Sequence, residues 1–168
     1  MVKRIIWTLV FILIAALLES TIFFRLSRYI LVIPDITLCI LVFSAYVNGT
    51  MTGQLTGFFS GFMLDFFSSA PLGLNALIRT LIGAVTGIIK GTFFLDIIFL
   101  PMALCAGATI LKALIYLILH LLMARVPAYA FFNMTFWVEL GLNTLIAPFL
   151  FAFLKLFDPL LVGQREAA

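Results

Sequence analysis

Three sets of residues in this 168-residue chain could do chemistry, and all three sit in or beside apolar stretches. The first is Asp65 with Arg79. The second is Lys112 with Glu139. The third is the dipeptide Pro34-Asp35. A charge at the centre of a lipid-spanning helix costs roughly 2.5–3.5 kcal/mol on insertion scales, so such residues normally have partners. Asp65 and Arg79 are placed to form an ion pair that pins a helical hairpin, or to floor a polar cavity that receives a ligand or a partner. Lys112 and Glu139 are about equally far from a turn at Arg125-Val126-Pro127, so they share a depth. They are expected to form a buried pair, and breaking one such partner typically costs about 3–5 kcal/mol. Asp35, just after a helix-interrupting proline, is expected near a helix N-terminus, where its charge is favoured.

Catalytic arrangements are not evident. His120 is the only histidine, and a polar residue near a helix end explains it. Ser60-Gly61 precedes it but lacks the Gly-x-Ser-Gly context of an intramembrane serine protease. There is no Gly-x-Gly-Asp motif and no phosphate-binding loop. Cys39 and Cys105 lie in apolar runs without metal-type spacing and read as small buried hydrophobes. The reading is a protein without enzymatic activity, cofactor or metal. The net charge of +3 comes from ten scattered basic residues, with no stripe of the kind that binds nucleic acid.

The elements that must position these residues are helices in lipid. The chain is 65% hydrophobic and 10% charged, with mean hydropathy +1.28. A soluble domain is closer to half apolar and a quarter charged. A chain this short cannot hide the excess in a core. Six stretches approach the length of about 20 residues that crosses a bilayer. They are 5–24, 29–47, 51–67, 72–90, 101–123 and 130–156. They use nearly the whole chain and predict a single all-α transmembrane domain over 1–168. The basic start, Lys3-Arg4, reads as the flank of a retained first span. Basic residues in the connections and at the span ends fall as Lys3, Arg4, Lys90, Lys155 and Arg165 on one side and Arg25, Arg28 and Arg125 on the other. That bias puts both termini in the cytoplasm.

The third and fourth spans form a hairpin over residues 53–91 with the turn Ser68-Ser69-Ala70-Pro71. Gly53, Gly57, Gly61 and Asp65 recur every four residues on one arm; Arg79, Gly83, Gly87 and Gly91 do so on the other. Folded about the turn, the two series face each other in pairs whose numbers sum to 144. Gly61 then meets Gly83, Gly57 meets Gly87, Gly53 meets Gly91, and Asp65 meets Arg79. Small residues drive helix packing in lipid because they allow close approach. The seam reads as rigid packing, with a sliding interface as the functional alternative.

At this hairpin the chain resembles a known family. Gly57-Phe58-Phe59-Ser60-Gly61-Phe62-Met63-Leu64-Asp65, followed by Pro71-Leu72-Gly73-Leu74-Asn75-Ala76-Leu77, looks like the signature of the rod-shape-determining membrane protein MreD family. Pro34-Asp35 before a leucine/isoleucine-rich span also matches. The turn departs from the pattern, since a glycine often precedes the proline, and the Lys112–Glu139 pair is not a family hallmark. The resemblance implies a six-helix fold similar to the S component of energy-coupling-factor transporters. It implies a non-enzymatic scaffold in the inner membrane, within the machinery for elongation and lateral peptidoglycan synthesis. Its partners would be an MreC-type single-span periplasmic protein, then MreB, RodZ, and RodA with its transpeptidase, alongside membrane lipid and a second copy of the chain as a homo-oligomer. By this reading Asp65, Arg79, Pro71, Gly73, Asn75, Pro34 and Asp35 are structural or face the partner. The alternatives are a vitamin-like small-molecule binding component of a transporter and, more weakly, a lipid-precursor flippase.

Overall fold

Among the described residues of the computed structural model, seven helices follow one another: α1 (Val2–Leu26), α2 (Ile36–Asn48), α3 (Thr50–Phe67), α4 (Leu74–Ile88), α5 (Phe99–Leu122), α6 (Met134–Lys155) and the short α7 (Asp158–Leu161). The structure describes residues 2–26, 32, 34–67, 71–90, 98–123 and 134–161, apart from the side chains of 22–26 and 158. No strand occurs among the described residues, so the fold is all-α.

Local chemistry sets the helix boundaries. Pro34 disfavours helix in the residue before it, and Asp35 then serves as the N-cap of α2, accepting from the Leu38 backbone N–H at 2.9 Å. The C-terminus of α2 is Gly49, with φ +92° and ψ −179°, a conformation open essentially to glycine alone. The chain enters α3 at once, and the Gly49 carbonyl accepts from Gly53 N–H at 2.9 Å. Before α4, Leu74 N–H donates to the Pro71 carbonyl at 3.1 Å, and Gly73 sits at φ +92°, ψ −10°. Glycine at the third position with those angles marks a type II turn.

α2 is the hub. Every residue from Thr37 to Ala45 is buried, as expected of a helix apolar on all sides. α1, α3, α4, α5 and α6 all pack on it. On the opposite, outer surface of the bundle the usual order is inverted. Phe149 is 79% exposed and Leu121 77%, whereas Asp65, Arg79, Glu139 and Asn143 are buried. Lipid is the solvent that makes this arrangement favourable, because apolar side chains lose nothing there and charges must find partners inside. By length and composition, α5 and α6 can each cross a membrane; α2 and α4 are apolar but have only 13 and 15 residues.

The α3–α4 hairpin is the tightest contact, and its register corrects the sequence expectation. A Cβ added to Gly53 would strike the Gly83 backbone, with Gly83 C at 3.0 Å. One on Gly57 would lie 2.8 Å from the Arg79 carbonyl carbon, and one on Gly61 2.6 Å from Ala76 N. One on Gly87 would lie 2.7 Å from Gly49 C. Gly53 therefore faces Gly83, Gly57 faces Arg79, and Gly61 faces Asn75 and Ala76. The arms are slid by about two helical turns, ~12 Å, from the expected alignment. α3 runs to Phe67 while α4 starts only at Leu74, after the turn residues Pro71, Leu72 and Gly73, so the end of α3 overhangs the start of α4. The glycines make the close approach in both alignments, but their partners differ. Gly91 and the turn residues Ser68, Ser69 and Ala70 lie outside the described residues.

Candidate functional site

Asp35 joins the buried charges. Its Oδ1 accepts from Arg79 Nη2 and its Oδ2 from Lys112 Nζ, each at 2.8 Å. Lys112 Nζ also reaches Glu139 Oε1 at 2.8 Å. Arg79 Nη2 donates to Thr37 Oγ1 at 2.8 Å as well. The chain Glu139–Lys112–Asp35–Arg79 thus links α6, α5, the start of α2 and α4. Charge-assisted bonds of this length are roughly twice as strong as neutral ones. All four side chains are less than a fifth exposed, so solvent screens them little.

Two further carboxylates close open helix ends. A helix leaves its first four N–H groups without intrahelical acceptors, which is costly at membrane depth. At α2, Glu19 Oε1 accepts from Thr37 N–H at 3.0 Å, beside the Asp35 cap. At α4, Asp65 accepts from the backbone N–H groups of Gly73 at 2.9 Å, Asn75 at 3.0 Å and Ala76 at 3.3 Å. The two devices are alike: an acid in the second half of one helix caps the next helix in the chain. Negative charge there is also favoured by the helix dipole.

Asp65 therefore does not pair with Arg79. That expectation is corrected, because the α4 N-terminus supplies Asp65 with amide donors while Asp35 supplies Arg79 with a carboxylate. Asn75 ties the cap to the network. Its Nδ2 donates to Asp65 Oδ1 at 3.0 Å, and its Oδ1 accepts from Tyr116 Oη at 3.0 Å. Asn143 braces the other flank. Its Oδ1 accepts from Asp35 N–H at 2.8 Å, and its Nδ2 donates to Thr109 Oγ1 at 3.0 Å.

Of the residues singled out from sequence, Pro34, Asp35, Asn75, Arg79, Lys112 and Glu139 line one cavity of about 410 Å³. Asp65 and Gly73 stand beside it through Asn75, and Pro71 is exposed at the turn. The glycines form the seam behind it. Sequence reasoning missed the roles of Glu19 and Thr37. The lone acid in an otherwise apolar stretch of α1 was a signal for Glu19; nothing in the spacing pointed to Thr37. Ser60 donates to the Gly57 carbonyl at 3.1 Å inside α3, where its hydroxyl braces the seam. No group of three metal-ligating side chains occurs among the described residues.

The arrangement can hold helices in register and can present hydrogen-bonding groups to an occupant of the cavity. No curated protein and no solved structure matches the chain. The sequence model described as rod shape-determining protein MreD matches residues 1–157. With buried charges, an apolar exterior and a family match over nearly its whole length, the chain belongs to the MreD family of rod shape-determining membrane proteins.

Proposed function

We propose that this protein is a non-enzymatic scaffold of the bacterial elongation machinery, spanning the inner membrane six times with both termini in the cytoplasm. In this role it binds an MreC-type single-span periplasmic protein and supports lateral peptidoglycan synthesis, with MreB, RodZ, and RodA with its transpeptidase in the wider assembly. The family match over residues 1–157 carries the reading. The interior supports it: the buried charges are spent on helix caps and ion pairs that fix five helices around α2, as a rigid docking body requires. The Gly57 and Gly61 seam and the capped turn at Pro71, Gly73 and Asn75 are the proposed structural base of the partner surface.

The test is purification from native membranes with identification of what comes along. A single-span periplasmic wall-growth protein should co-purify with the wild type. It should be lost, along with rod shape, in Gly57→Leu or Gly61→Leu. Unchanged complex and unchanged cell shape in both variants would refute the scaffold role. The cavity of about 410 Å³ favours a second reading, a small-molecule binding component with an architecture like that of an energy-coupling-factor S component. A vitamin-like molecule in the eluate, with no wall-growth protein, would select it.

A further inference from the structure

Five helices surround α2, and each packs on the next in the order α1, α3, α4, α5, α6. The step from α6 back to α1 has no comparable contact among the described residues. At the end where α1 begins it is bridged by α7, which packs on both helices. Phe157, just before α7, places its ring 5.0 Å from that of Phe11 on α1 and 5.4 Å from that of Phe153 on α6.

Behind this bridge, α2 turns two consecutive residues to the flanking helices. Phe43 meets Phe151 of α6 edge-on at 5.1 Å, and the Ser44 hydroxyl lies 3.2 Å from that of Thr8 on α1. Phe43, Ser44 and Thr8 are all buried. One turn further on, Asn48 ties the bridge to α2. Its Nδ2 donates to the Ser44 carbonyl at 3.1 Å and to the Leu161 carbonyl, at the end of α7, at 2.8 Å.

The bridge is slight. α7 has four residues, and so short a helix does not hold in isolation. The chain enters it through a tight turn, in which the Leu156 and Phe157 N–H groups donate to the Phe153 and Leu154 carbonyls at 3.1 and 3.0 Å. Its main anchors are the Phe157 ring, the buried Leu161 side chain and the Asn48 bond. The α3–α4 seam, by contrast, is backbone against backbone. Elements that move are drawn from the least stable contacts of a fold, and in this ring that is the step from α6 to α1.

We infer that α7 latches a lateral gate between α1 and α6. Docked, it closes the ring around α2. Released, it lets the first half of α1 swing away from α6 and opens the Phe43–Ser44 face of α2 to the membrane. The inference is independent of partner binding.

Distances between spin labels on the full-length protein, in vesicles of phosphatidylethanolamine and phosphatidylglycerol, test it. One pair, Ile6→Cys with Phe149→Cys, spans the gate from exposed sites on α1 and α6; a second, Met51→Cys with Ile88→Cys, spans the α3–α4 seam from exposed sites. The native Cys39 and Cys105 are each 1% exposed and stay unlabelled. Asn48→Ala and Leu161→Ser should each lengthen the gate distance by about 5 Å, half a helix diameter, and leave the seam distance unchanged. An unchanged gate distance in both variants overturns the proposal. Equal broadening of both pairs also overturns it, since that reports general loosening. In the wild type, stepwise addition of dodecyl sulfate should broaden the gate pair before the seam pair. The reverse order overturns the proposal even if neither variant folds.

Discussion

Replacing Asp35 by leucine should be the most damaging single change in the charge network. Its two oxygens meet Arg79 and Lys112 at 2.8 Å each, and Oδ1 also caps α2 through Leu38 N–H at 2.9 Å. Breaking a buried ion pair by removing one partner typically costs about 3–5 kcal/mol. An N-cap adds about 1 kcal/mol. Lys112 keeps Glu139, so its share is smaller than that of Arg79. A loss of about 4–6 kcal/mol follows, enough to consume much of the stability of an ordinary domain. Glu139→Leu is milder, about 1–3 kcal/mol, because Lys112 keeps Asp35. Two carboxylates on one lysine also soften the penalty expected for an isolated Lys112–Glu139 pair. The assay is unfolding in mixed micelles titrated with dodecyl sulfate, followed by the fluorescence of Trp7 and Trp137 and by circular dichroism. Adding Arg79→Leu to Asp35→Leu should recover part of the loss, since it removes the stranded cation. Asp35→Leu costing no more than Glu139→Leu would refute the hub reading.

The seam gives a paired prediction. Gly57→Ala forces a Cβ to 2.8 Å from the Arg79 carbonyl carbon, an overpacking cost of about 1–3 kcal/mol. Gly107→Ala meets nothing within 4 Å and should gain about 0.5–1 kcal/mol from helix propensity. Midpoints in the same titration should move in opposite directions, and a Gly57→Ala variant as stable as the wild type would contradict the described register. At the second cap, Asp65→Ala should cost about 1–2 kcal/mol, less than Asp35→Leu, and should speed hydrogen exchange at the Gly73, Asn75 and Ala76 amides. A larger loss at Asp65 than at Asp35 would restore Asp65, rather than Asp35, as the partner of Arg79.

Much was legible in the residues themselves. Hydropathy and length alone required helices in lipid, because no core of this size could bury so apolar a composition. Pro34-Asp35 marked the start of α2, since proline breaks the preceding helix and an acid suits the first free amides. The equal distance of Lys112 and Glu139 from their shared loop placed them at one depth, and their charged atoms lie 2.8 Å apart. Each of these rests on local chemistry or on counting along a helix.

Axial slide and partner choice were decided only in three dimensions. A glycine repeat of four residues maps nearly onto itself when one helix moves by whole turns, so the sequence allows several alignments that bury glycine against backbone. The short arc from Asp65 to Gly73 selects one of them, because the acid can reach the free amides of α4 only in that register. Once Asp65 is held there, Arg79 lies beside the start of α2 and finds Asp35. Glu19, two turns before the end of α1, completes that corner by capping α2. Periodicity reports which face of a helix packs; which charge meets which depends on the slide of one helix past another, and that is set by the whole bundle.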